Sequence, residues 1–174
     1  MDGKCLNLRR AYFAVFLLMA IAVLWNVQFP QFIFVNFSRS APRGLYLRSP
    51  QGEIHVGDCV VYLPTEKAAD VMRGCGWLSE GESPRPFLKF VGALSGDWYS
   101  VSSKSFFVNG DYIGEAVSED SEGHPLPLML GTHVVPEGEF LPITRSPRSF
   151  DGRYTGTVPL GRIVAKVIPI LVVD

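Results

Sequence analysis

The stretch Phe87-Leu88-Lys89-Phe90-Val91-Gly92-Ala93, followed by Leu94-Ser95-Gly96-Asp97, decides how the chain folds. Aromatic and β-branched residues favour a strand, and Gly-Asp after them supplies a turn. Strand alternation places Phe87 and Val91 on the same face as Lys89, so a cation is aimed at an apolar surface. Two readings follow. The lysine either lies on an edge strand with its ammonium in water, or points into a core where lost hydration lowers its pKa.

Outward from this stretch the pattern stays β. Candidate strands are Gly44–Arg48, Cys59–Leu63, Trp98–Ser102, Phe106–Val108, Phe140–Ile143 and a final run, Gly161–Val172. Asn109-Gly110 between Val108 and Asp111-Tyr112 is a hairpin signal, because the pair accepts the positive φ of a type I′ turn. Glu66–Arg73 is the one plausible helix in this part, and Glu115–Pro127 reads as an acidic exposed loop. The fold class is mainly β, an antiparallel barrel or sandwich.

The N-terminal part is different. No charged residue occurs between Ala11 and Ser38. The core of this run, Ala11 to Phe29, spans roughly 28 Å as a helix, close to the ~30 Å hydrocarbon thickness of a bilayer. Trp25 suits the membrane interface and Pro30 ends the helix. Lys4, Arg9 and Arg10 precede the span, which predicts a cytoplasmic N-terminus over 1–10, a transmembrane helix over 11–29 and an extracytoplasmic domain over 30–174. A cleaved signal peptide fits less well. The small-x-small site at Ser38-x-Ser40 lies beyond Phe32, Ile33, Phe34, Val35 and Phe37, too far from the apolar core and too greasy.

Composition agrees with one domain and an appendage. The 174 residues are 47% hydrophobic and 19% charged, with a net charge of −1. From Arg39 onward 13 Lys/Arg face 16 Asp/Glu, a balance of −3, which argues against a nucleic-acid partner. Cys5 falls on the cytoplasmic side, where it stays reduced. Cys59 and Cys75 fall in the exported part, where one bridge or two free thiols are equally open. Neither cysteine has metal-ligand spacing with His55, His124 or His133, so no metal is expected, and no cofactor motif is present.

An exported β domain without a cofactor invites a search for a nucleophile and a base. The elbow pattern G-x-S-x-G is absent, and the three histidines sit in settings that suit surface or packing roles. Lys89 is the stronger base candidate, since a neutral amine can take a proton from a serine hydroxyl.

Three blocks stand in a telling order: Ser40-Ala41-Pro42-x-Gly44-Leu45-Tyr46, then Leu88 to Asp97, then Ser149-Phe150-Asp151-Gly152-Arg153-Tyr154-x-Gly156. Together they resemble the signal peptidase family, membrane-anchored serine proteases with a Ser/Lys dyad. Asn36 and Ser38 ahead of Ser40 make the first block most like the conjugative-transfer branch, the TraF-type peptidases. The resemblance runs from about Asn36 to Ile170 and includes Val108-Asn109-Gly110.

The resemblance implies Ser40 as nucleophile and Lys89 as general base. Ser38 would help the Ser40 backbone N–H form the oxyanion hole, and Ser149 would hydrogen-bond the lysine amine. Asp151 would be the acidic residue of the last block, with Arg153 paired to it in support. Ala41 replaces the family's usual methionine, its proline comes one position early, and Ser95 stands where the family has proline. These departures bear on the substrate pockets and the branch, and leave the dyad intact.

The implied function is endoproteolysis of exported precursors at the outer face of a bacterial inner membrane, in the periplasm, by a single-pass enzyme. Ser40 lies 11 residues past Phe29, a reach of at most ~36 Å, which keeps it near the bilayer. Implied partners are precursor proteins with small residues before the cut, membrane lipid, and pilin or mating-apparatus proteins. A general leader peptidase is one alternative. A non-catalytic membrane-tethered scaffold of a secretion system is another.

Overall fold

A computed structural model describes residues 12, 13, 15–17, 19, 31–38, 40–50, 52–146 and 149–173. The chain divides into two compact units, Met1–Gln31 and Phe32–Asp174. In the first, Tyr12, Phe13, Val15, Phe16, Leu17 and Met19 are helical and exposed. The rest of the expected span Ala11–Phe29, and the N-terminus before it, lie outside the described residues. Among the described residues no helix is long and apolar enough to cross a membrane.

The second unit is built on antiparallel strands. They are β1 (Ile33–Asn36), β2 (Arg43–Arg48), β3 (Cys59–Tyr62), β4 (Phe87–Leu94), β5 (Trp98–Val101) and β6 (Ser105–Val108), followed by β7 (Asp111–Glu115), β8 (Gly131–Val134), β9 (Glu139–Ile143), β10 (Val158–Pro159) and β11 (Ile163–Val173). Seven form one sheet in the order β1-β2-β11-β3-β4-β9-β10, and four form a second in the order β7-β6-β5-β8. The expected barrel or sandwich is therefore a pair of open sheets. They share a core in which Ala93 and Leu141 of the larger sheet pack with Tyr99, Val101, Phe106 and Val108 of the smaller.

Local chemistry explains most boundaries. Asn109 and Gly110 both carry positive φ, 49° and 89°, in the turn joining β6 to β7, as the Asn-Gly pair predicts. The helix Glu66–Gly74 is capped by the Thr65 side chain, which accepts from the Ala68 N–H. Four strands lie outside the expected set. β1 is apolar on both faces, with Phe34 buried and Ile33 and Val35 exposed, so it merges in sequence with the apolar run before it. β7 is implied only by its turn. β8 is an edge of exposed or half-buried residues, and β10 has 2 residues.

β1 and β2 form a hairpin whose loop, 37–42, carries Ser38 and Ser40. Strand β11 runs along the other side of β2, and Gly44 meets Val172 there. Gly44 has φ 146°, and a Cβ on it would lie 2.0 Å from the Leu171 carbonyl oxygen. Only glycine permits that approach at the base of the serine loop. Gly44→Ala should cost about 2–4 kcal/mol in urea unfolding; an unchanged midpoint would show that β11 can move aside.

Candidate active site

Asn36 organises the serine loop from within. Its buried amide nitrogen donates to three carbonyls, those of Ser38 at 3.1 Å, Ala41 at 3.0 Å and Pro42 at 3.1 Å. Its Oδ1 accepts from the Ser38 N–H at 3.1 Å and from the Ser38 hydroxyl at 2.8 Å. The Tyr46 hydroxyl adds a bond to the Pro42 carbonyl at 2.6 Å. One short side chain thus supplies the bonds that a six-residue loop cannot make with itself.

A proton inventory fixes the direction of the next bond. Ser38 Oγ and Ser40 Oγ are 2.7 Å apart. Asn36 Oδ1 is only an acceptor, so the single Ser38 hydroxyl proton is directed at it, and the Ser40 hydroxyl must donate to Ser38.

Lys89 lies on β4 opposite Val60 of the neighbouring strand β3. It is 5% exposed, and its amine sits 5.8 Å from the centre of the Phe87 ring. Nζ donates to the buried Ser149 Oγ at 2.5 Å. Loss of hydration lowers the amine from its ordinary 10.5 to about 8; nearby Asp151 pulls it up and Arg153 pushes it down. Of the two readings of Lys89, the core-directed one describes its place.

Asp151 and Arg153 are buried together, with Nε 2.9 Å from Oδ1 and Nη2 3.0 Å from Oδ2. Asp151 also caps the short helix Gly152–Thr155 by accepting from the Arg153 N–H. Two further guanidinium hydrogens go to the carbonyl of Thr144, at 2.7 Å, and to that of Glu115. The backbone N–H of Thr144, which follows β9, donates to Asp151 Oδ2 at 3.0 Å. The six residues singled out from sequence therefore form two hydroxyl-centred pairs, Ser38–Ser40 and Lys89–Ser149, and one ion pair, Asp151–Arg153. Among the described residues no hydrogen bond joins Ser40 to Lys89.

Ser40 opens onto a cleft of about 980 Å³. Pro42, Phe90, Val91, Ile143 and Thr144 also line it, which makes its wall largely apolar. The β4 residues there directly follow Lys89.

Sequence reasoning named Asn36 only as part of a motif and passed over Thr144. An Asn two positions before a serine was the available signal for the first. Thr144 has none, since its partner lies 104 positions away. Cys59 and Cys75 are both free and buried, in separate clusters, so the open question of a bridge resolves as two thiols. Burial pushes the Cys59 thiol up to about 12, which makes it inert near neutral pH. His133 stacks on Tyr99, and His124 pairs with Asp120 in the acidic loop.

Comparison with known proteins finds a family and several relatives. The family described as signal peptidase, peptidase S26, matches the chain over residues 6–172. A plasmid transfer protein TraF from Escherichia coli is 28% identical over 145 residues, which is 79% of this chain and 81% of that protein. A second plasmid transfer protein TraF from Escherichia coli is 27% identical with the same coverage. A signal peptidase I from Enterococcus faecalis aligns with 66% of this chain and 97% of its own at 18% identity, with a TM-score of 0.40.

The buried amine has a measurable cost. With a folded pKa of about 8 against 10.5 unfolded, the unfolded chain binds the extra proton between these values, so stability rises with pH there. Holding the charged amine costs about 3 kcal/mol below pH 8, and the penalty fades as pH climbs through 10.5. Lys89→Met should therefore raise stability at pH 7 in urea unfolding, with the gain largely gone by pH 10.5. An equal gain at both pH values would contradict the desolvated amine.

Proposed function

The chain belongs to the signal peptidase family, peptidase S26, and on that premise we propose that it is a serine endopeptidase working through Ser40 and Lys89. The observation that carries this reading is the Lys89 amine, buried, held by Ser149 and brought to about 8. At pH 7 about one amine in ten is then neutral, against about one in three thousand at 10.5. A neutral amine keeps N–H donors for Ser149 and presents a lone pair for the Ser40 proton.

In the proposed reaction Ser40 turns its hydroxyl from Ser38 to Lys89 as substrate enters, consistent with catalytic hydrogen bonds that tighten only in the complex. Ser40 Oγ attacks the scissile carbonyl, and Lys89 takes the proton. The Ser40 backbone N–H and the Ser38 hydroxyl, released from Asn36, stabilise the oxyanion. Lys89 returns the proton to the leaving amine, and water or another amine resolves the acyl-enzyme. Ser149 orients Lys89, while Asp151 and Arg153 support the segment that carries Ser149.

The substrates proposed are exported precursors with small residues before the cut. Two relatives are plasmid transfer proteins, which favours pilin or mating-apparatus precursors over the broad duty of a leader peptidase. We place the chain in the inner membrane through the span Ala11–Phe29, with residues 30–174 on the periplasmic side. An apolar surface supports contact with lipid. Ile33, Leu47 and Ile168 form a cross-strand row on β1, β2 and β11 and are all exposed, a row that costs less against hydrocarbon than against water.

The test uses the full chain in detergent micelles and a peptide with alanine before the cleavage site. Ser40→Ala and Lys89→Ala should each lower kcat by about 10³-fold or more, with the fold kept by circular dichroism. The wild-type rate should rise with pH through a midpoint near 8. Substantial cleavage by either variant, or a midpoint near 10.5, would overturn the dyad.

A further inference from the structure

Thr144 is 3% exposed, and every polar group it has is engaged. Its N–H donates to Asp151 Oδ2 at 3.0 Å, and its carbonyl accepts from Arg153 Nη2 at 2.7 Å. Its hydroxyl accepts from the Ser146 N–H at 3.2 Å and donates to the Ser40 carbonyl at 2.6 Å. That last bond crosses 104 positions of sequence and is the shortest hydrogen bond to the serine loop's backbone, with that from Tyr46.

The placement is specific. Asn36 holds the carbonyls of Ser38, Ala41 and Pro42, all from within the loop's own hairpin. The Ser40 carbonyl is held instead by Thr144, just after β9. Among the described residues it is therefore the one loop carbonyl hydrogen-bonded to the segment that also carries Asp151, Arg153 and Ser149.

We infer that Thr144 is a positioning residue that fixes the peptide plane after Ser40 and ties the nucleophile to the buried Asp151–Arg153 pair. This inference rests on Ser40 as nucleophile. With the carbonyl held, the Cα–Cβ direction of Ser40 is set relative to the elements carrying Ser149 and the ion pair. Without the Thr144 hydroxyl, the Ser40 carbonyl and the Ser146 N–H both lose a partner, and the loop is free to rotate. Displacements of ~1 Å at a reacting atom cost up to ~10²-fold in rate.

Thr144→Ala and Thr144→Ser both remove the methyl group and differ only in the hydroxyl. The assay is turnover of N-acetyl-alanine p-nitrophenyl ester by the full chain in detergent micelles, followed as nitrophenol release. Thr144→Ala should lower kcat by about 10–100-fold, with KM within about twofold and the pH midpoint unmoved. Thr144→Ser should recover kcat to within about threefold of wild type. Thr144→Val, which keeps the shape, serves where the alanine variant melts below assay temperature, and the same loss is expected.

The inference is overturned if the hydroxyl-free variants keep more than half the wild-type kcat, if the serine variant is as slow as alanine, or if the loss falls in KM. Ser40→Ala, run alongside, separates the two levels. Abolished turnover there with a fast Thr144→Ala removes only the role of Thr144. Undiminished turnover in Ser40→Ala removes the nucleophile assignment, and the role of Thr144 with it.

Discussion

A guanidinium shut away from water must find acceptors inside the protein. Arg153, with no exposed surface, finds them on three segments at once. Asp151 supplies both carboxylate oxygens, Thr144 a carbonyl after β9 of the larger sheet, and Glu115 a carbonyl at the end of β7 in the smaller. The Phe106 ring faces the guanidinium at 5.2 Å. One side chain thus fastens the two sheets at the place where the Ser149 loop leaves β9. Truncating either member of such a pair leaves a buried charge unmatched, which typically costs ~3–5 kcal/mol.

The same pair sets the background for Lys89. Asp151 favours the charged amine and Arg153 disfavours it, so the two charges oppose each other at Nζ and burial decides the direction. That division of labour is economical. The ion pair supplies rigidity while its two charges act on Nζ in opposite directions, and burial, the largest influence, lowers the pKa. On the proposed reading, a costly lysine persists in a core because the same burial that destabilises its charged form makes a neutral amine available.

The sequence made part of this legible. The strand around Lys89, the Asn-Gly hairpin and the helix at Glu66 are local features whose signals are local, and the structure places them within a residue or two of expectation. β1 was hidden because both its faces are apolar and it adjoins a longer apolar run, so no change in periodicity marks its start. Edge strands β8 and β10 bury too little to impose a pattern. At the site, three motif blocks pointed to the six residues, but their grouping into pairs was not readable. Which hydroxyl donates to which depends on Asn36, and what holds the Ser40 carbonyl depends on a threonine more than a hundred residues away. Contacts across such separations leave no spacing rule behind.

The central claim is that Lys89 is a desolvated base, and its own titration tests that most directly. Carbon-13 labelling of lysine side chains in the full chain, with Lys89→Met to assign the resonance, would let the ε-carbon shift be followed from pH 6 to 11 by NMR. The account predicts a midpoint near 8 for Lys89, while surface lysines titrate near their usual ~10.4. A Lys89 midpoint among the surface lysines would contradict it.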